Sequence, residues 1–273
     1  MTLPDQASEQ ATDQVSAQAP SILAVIPARG GSKGLPGKNV RPLLGRPLLG
    51  WSVALADELG PDVRCVVSTD DPAIADVARQ QGADVPFLRP AELASDTAPM
   101  GAVIRHALET LDPDGHIAMV LLLDPTSPTR TPERVRAAID QLAAAPHLDG
   151  VIAVSEPFFH PTWVGVKKDA GADDGALARY FPEGTGVTRR QDVPPFLRIN
   201  GNFYVWRADF VRRLETSWFD EGRHGYVEIP ESHAFSIDDE REFRLVEAVV
   251  TAGLAPLPGR EQPGDHQPSP AEA

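Results

Sequence analysis

Ile22-Leu23-Ala24-Val25-Ile26-Pro27-Ala28-Arg29-Gly30-Gly31-Ser32-Lys33-Gly34-Leu35-Pro36-Gly37-Lys38-Asn39 is the stretch on which the fold turns. Its first five residues are apolar without alternation, the pattern of a strand buried on both faces and so of a parallel sheet. A glycine-rich, basic loop follows at once. Residues 21–56 contain Arg29, Lys33, Lys38, Arg41 and Arg46 and no acid, in a chain with 39 acids against 25 bases and a net charge of −14. Glycines let backbone N–H groups approach phosphate oxygens, while Arg and Lys neutralise several negative charges. The combination suits a triphosphate. Two common phosphate motifs do not fit it. A Walker loop fails because Ser32 holds the first glycine position and Asn39 replaces the hydroxyl residue. The dinucleotide fingerprint fails because the spacing is Gly31, Gly34, Gly37. Without a ligand, the same loop reads as a basic surface turn.

Outward from this loop, apolar runs alternate with helical patterns. Ile22–Ile26, Val63–Ser68, Val85–Leu88, Ile117–Leu123 and Val151–Val154 read as strands, and about Pro47–Leu59, Pro72–Gln81, Pro99–Leu111 and Pro132–Ala144 as helices. Such alternation predicts an α/β fold, a doubly wound and mostly parallel sheet with ligands gathered beyond the carboxyl ends of its strands. The rhythm breaks over residues 156–198, where Thr162–Lys168 and Ala176–Phe181 are β-like among turn formers; this region reads as an inserted arm. A strand at Asn202–Trp206 and a helix at Asp239–Thr251 complete the domain, placed at residues 21–255, with tails at 1–20 and 256–273.

The acidic balance argues against a nucleic-acid partner. The longest apolar run, Ile117–Leu123, is far short of a membrane span, and no Lys or Arg precedes Arg29 to serve a secretory signal. One cysteine, Cys65, permits no internal disulfide and no Cys-rich zinc site. The expected class is a soluble, cytoplasmic protein.

Taken with five further blocks, the loop Pro27–Asn39 resembles the signature of the sugar-acid cytidylyltransferases, in particular the acylneuraminate (CMP-sialic acid) synthetases. The blocks are Ser68-Thr69-Asp70, Arg89-Pro90-Ala91-Glu92-Leu93-Ala94-Ser95-Asp96-Thr97-Ala98-Pro99, Pro125-Thr126-Ser127-Pro128-Thr129-Arg130, Arg198-Ile199-Asn200-Gly201-Asn202-Phe203-Tyr204 and Ile237-Asp238-Asp239-Glu240. They follow the family's order across roughly residues 22–250. The resemblance implies transfer of CMP from CTP to a small acidic acceptor with release of pyrophosphate, using Mg²⁺, by a homodimer whose arm exchanges contacts. It implies that Arg29, Ser32 and Lys38 bind the triphosphate beside Gly30, Gly31 and Lys33, with Arg29 and Lys38 acting in catalysis. Asn39 and Arg89 would contact the nucleoside, Arg190 and Arg198 the acceptor, and Asp238 the magnesium.

Three positions depart from the family, one of them Met100, where a small polar residue near the nucleotide is more usual. Ser236 stands where an Asp-x-Asp pair would begin, and Asp124 precedes Pro125 where the family has glutamine. Asp124 either replaces the lost carboxylate as a metal ligand, with Asp238 or Asp239, or marks a different acid acceptor such as a phosphonate. A third reading has it capping the turn that follows its strand. His106, His116 and His160 read as packing or loop residues. Two rival classes remain: a nucleotide-sugar glycosyltransferase, which would want an Asp-x-Asp that Ser68-Thr69-Asp70-Asp71 does not supply, and a non-catalytic nucleotide-binding homologue.

Overall fold

In the computed structural model, residues 21–260 are described except residues 170 and 172–174. The chain enters through β1 (Ile22–Pro27), all six residues of which are buried. β2 (Pro42–Leu43) and β3 (Arg46–Pro47) form a small hairpin before α1 (Leu48–Glu58). There follow β4 (Val63–Ser68), α2 (Pro72–Gln80), α3 (Met100–Leu111), β5 (Met119–Leu122), α4 (Pro132–Ala144) and β6 (Gly150–Ser155). The stretch expected to be an arm holds α5 (Pro161–Val164) and the hairpin of β7 (Val166–Lys168) with β8 (Leu177–Arg179). The chain then returns through β9 (Arg198–Arg207), α6 (Ala208–Arg213), β10 (His224–Glu228) and α7 (Glu240–Thr251).

Six strands form the main sheet in the order β10-β6-β9-β5-β1-β4. β1 pairs in parallel with β4 and β5, and β10 with β6, while β9 runs antiparallel to both its neighbours, so five of the six strands point one way. Side chains of a strand alternate between faces, which explains why β1 is apolar throughout. Ile22, Ala24 and Ile26 pack with Leu49 and Val53 of α1, Ile74 of α2 and Val135 of α4. On the other face, Leu23 and Val25 meet Ile104 and Leu108 of α3 and Phe210 of α6. Helices cover both faces, as a doubly wound sheet requires. A third cluster seats Phe243, Val246 and Val250 of α7 against Leu35, Leu48 and Trp51.

Three expectations need correction. Val85–Leu88 forms no strand; isolated bridges flank it, from Asp84 to Val66 and from Leu88 to Thr69. Pro86 lacks the N–H that a ladder needs. Leu257, which lies in the stretch expected to be a tail, is buried in the α7 cluster. Of the two β-like pieces, Val166–Lys168 and Leu177–Arg179 pair as strands, but Pro161–Val164 forms one helical turn at the front of the first, since proline suits the first helical position. Among the described residues, no helix is long and apolar enough to cross a membrane. Cys65 on β4 is a free thiol whose pKa burial pushes up to about 12.

Candidate active site

The loop leaving β1 is closed on itself by a buried side chain. Asn39 Nδ2 donates to the carbonyl of Arg29 at 3.0 Å, tying the two ends of the basic stretch together. Gly30 N–H donates to Asp70 Oδ1 at 3.0 Å, fixing the loop against the end of β4. At the far side, Lys38 Nζ donates to the carbonyl of Ile237 at 2.8 Å and to Asp238 Oδ1 at 3.0 Å. Gly34 makes this approach possible: a Cβ there would stand 2.3 Å from the Asp238 carbonyl oxygen. Gly37, at φ +67°, turns the chain into Lys38.

These contacts frame a cleft of about 600 Å³ at the carboxyl ends of β1, β4 and β5. Arg29, Ser32, Lys33, Lys38, Asn39 and Arg89 line it, as do Asp96, Asp124 and Asp238. Four cations thus face one space in an acidic chain. Arg29 meets Asp96 at 2.5 Å, and Lys33 pairs with the same carboxylate. Together Lys33, first, and Arg29 hold the Asp96 carboxyl below its ordinary value. Arg89 is buried; its Nε donates to Ser68 Oγ at 3.1 Å and its guanidinium also bonds the Ser68 carbonyl. Burial lowers its pKa. It joins the β4 terminus to the Ala91–Leu93 turn through a 3.4 Å bond to the Leu93 carbonyl.

Asp124 stands at the mouth of β5 and behaves first as a turn cap. Its Oδ1 accepts from Thr126 N at 3.0 Å and Thr126 Oγ1 at 2.9 Å. Behind it, the guanidinium of fully buried Arg130 bonds the Asp124 carbonyl; burial pushes Arg130 down to about 9, and Asp124 opposes that shift. A second hollow of about 280 Å³ shares Met100, Asp124, Thr126 and Ser236 with the cleft and is walled by Tyr204, Trp206 and Trp218. Burial first, and Asp124 second, raise the Tyr204 phenol above its usual range.

The expected metal set is only partly assembled. Asp238 and Asp124 line the same cleft, but Asp239 does not: its side chain accepts from Glu242 N at 2.8 Å as the N-cap of α7, in a capping box. Among the described residues, no group of three or more His, Cys, Asp or Glu is placed to hold a metal. Two carboxylates nevertheless suit magnesium, which commonly takes one or two from the protein and the rest from substrate phosphates and water.

Other expected residues fall elsewhere. Gly30 and Gly31 belong to the hoop without lining the cleft. Arg198 does not line it either; its Nε donates to Glu231 at 2.9 Å and its NH2 to the Ala234 carbonyl at 3.1 Å, bracing the turn after β10. The side chain of Arg190 lies outside the described residues. His106 packs edge-on against Phe87, 4.9 Å between centroids, and His160 Nε2 bonds the Pro194 carbonyl. Asp96, Arg130 and Asp70 carried no assigned role in the sequence. Only the two cations facing Asp96 could have marked it, and they lie some sixty residues away in the chain.

A larger hollow of about 1060 Å³ opens by the amino end of β4, beside α1 and α2. Its rim sets Asp57, Glu58 and Asp84 against the single cation Arg46, which makes it a poor seat for a polyanion.

A doubly wound sheet with a cationic hoop at its carboxyl edge defines a nucleotide-binding α/β protein. The cytidylyltransferase family model matches residues 23–218. A CMP-N,N'-diacetyllegionaminic acid synthase of Legionella pneumophila is 45% identical over 230 residues, 84% of this chain and 96% of its own. A pseudaminic acid cytidylyltransferase of Campylobacter jejuni is 38% identical over 72% of this chain and 85% of its own. The solved CMP:2-keto-3-deoxy-manno-octonic acid synthetase complexed with CTP shares the fold, with a TM-score of 0.64 at 18% identity over 85% of this chain and 98% of that one. The chain belongs to the cytidylyltransferase family.

Proposed function

We propose that the protein transfers CMP from CTP to a nonulosonic, sialic-type sugar acid and releases pyrophosphate. The observation that carries this reading is the cleft in which Arg29, Lys33, Lys38 and Arg89 face one another at the sheet's carboxyl edge. The relatives named above, made for legionaminic and pseudaminic acids, support the acceptor class.

In the reaction the acceptor oxygen attacks the α-phosphorus in line, and the pyrophosphate leaves with growing charge. Catalysis of this type is mostly positioning and charge stabilisation. Arg29, Lys33 and Lys38 neutralise the phosphate chain, and the Ile237 carbonyl holds the Lys38 ammonium in place. Arg89 fixes the loops around the nucleoside. The acceptor takes the neighbouring hollow beside Tyr204, where its ring can lie against the aromatic wall. Among the described residues no histidine lines the cleft, and the carboxylates that do are Asp96, Asp124 and Asp238. Magnesium, held by Asp238 and Asp124, would supply further neutralisation of the phosphate oxygens. The protein works in the cytoplasm as a homodimer joined through the arm, without a nucleic-acid or membrane partner.

The test measures pyrophosphate release with Mg²⁺ from each of the four nucleoside triphosphates across a panel of sugar acids and phosphonates. CTP with a nonulosonic acid should give pyrophosphate and a CMP-linked acid. No release with any acid, or turnover only with a phosphonate, would overturn the reading.

A further inference from the structure

We propose that Asp96 is a positioning residue that competes with the phosphate chain for Arg29 and Lys33. The proposal rests on the reading of the cleft as the triphosphate site and goes beyond it. Both carboxylate oxygens of Asp96 are committed: Oδ1 meets Arg29 NH2 at 2.5 Å, and Oδ2 meets Lys33 Nζ. All three residues line the cleft, so the carboxylate lies where phosphate oxygens would meet the same two cations. An anion that binds there must exchange ion pair for ion pair.

The local structure suits exchange. Asp96 follows the short turn at Ala91–Leu93 and precedes α3, in a turn closed by a 3.3 Å bond from Ala98 N to the Ser95 carbonyl and by long Ser95 hydroxyl contacts to the Glu92 carbonyl and to Thr97, each 3.5 Å. Lys33 is 81% exposed and Asp96 38%, so both heads reach water and can part without leaving a buried charge unpaired. In its paired state the carboxylate keeps two like charges together and aimed into the cleft. When the triphosphate arrives, Asp96 yields the cations; when pyrophosphate departs, Asp96 takes them back. The same carboxylate therefore weakens nucleotide binding and speeds release of the leaving group.

Asp96→Asn separates this role from a structural one. Exposed ion pairs each contribute modestly, so removing both pairs should tighten CTP binding by about two- to thirtyfold in calorimetry. The KM for CTP should fall, product inhibition by pyrophosphate should strengthen, and CTP affinity should drop more steeply with added salt than in wild type. Asp96→Glu, which restores the charge, should return all three toward wild type, and Asp96→Ser should repeat the Asn result without an amide. If Asp96→Asn and Asp96→Ser bind CTP equally or more weakly, with an unchanged salt slope, Asp96 is no competitor. Should wild-type protein itself not bind CTP, the reading of the cleft fails instead.

Discussion

Single residues decide whether the hoop around the cleft can close. Gly34 lies under the carbonyl of Asp238, so any side chain at that position must push the loop away from the segment that anchors Lys38. Gly34→Ala should raise the KM for CTP at least tenfold and destabilise the fold by about 1–3 kcal/mol, as overpacked sites do. Kinetics and a denaturant melt check it; unchanged values would mean that the loop can open without loss. The sequence displayed the basic residues and their glycines plainly, because charge contrast needs no partner to be seen. It did not display what each carboxylate touches. Asp239 looked like a metal ligand by its place in Ile237-Asp238-Asp239, yet the first turn of α7 needs a cap, and that local need claims it. Asp124, for which three readings stood open, is tied to Thr126 as a turn cap while still facing the cleft.

At the scale of elements, α7 links the last motif to the first. Arg41, beside the hoop, bonds Glu240 at the start of α7 and lies 4.2 Å over the Phe243 ring. Hydrogen bonds from Arg41, first, and Arg244 hold the Glu240 carboxyl at about 2. An unfolded glutamate titrates near about 4.3. The folded value is the lower one, so this pairing stabilises fully above about pH 4.3 and is lost as the pH falls toward 2. Thermal midpoints across that window should show wild type above Glu240→Gln at pH 5 and the two converging at low pH; a constant gap would contradict the assignment. Elements with continuous apolar runs, β1 and β5, were legible because both their faces are buried. β10 was not: His224-Gly225-Tyr226-Val227-Glu228 is a partly exposed edge strand without an apolar run, and only its pairing with β6 defines it. Leu257 was hidden for a related reason, since a proline-rich stretch gives no periodic signal even where it packs.

For the whole molecule, residues 158–180 carry several large apolar side chains open to solvent. Phe158 and Phe159 are 74% and 62% exposed, with Val166, Leu177 and Tyr180 also open to solvent nearby in the chain. A second copy of the chain is the proposed cover. Light scattering should give about twice the 29.3 kDa chain mass, and the double variant Phe158→Ser, Phe159→Ser should shift toward one chain; a monomeric wild type would remove the arm's proposed role. The sheet order and the long return of β9 between β5 and β6 could not be read from local patterns, because strand neighbours are set by contacts far apart in sequence. What that topology achieves is to bring residues 29–39, 89–96, 124–126 and 236–238 to one edge. The most direct measurement is calorimetric titration of CTP into wild-type protein and into Lys38→Ala. A cationic hoop that grips the phosphate chain requires CTP to bind at least about tenfold more weakly once Lys38 loses its ammonium; equal affinity for both proteins would contradict the account.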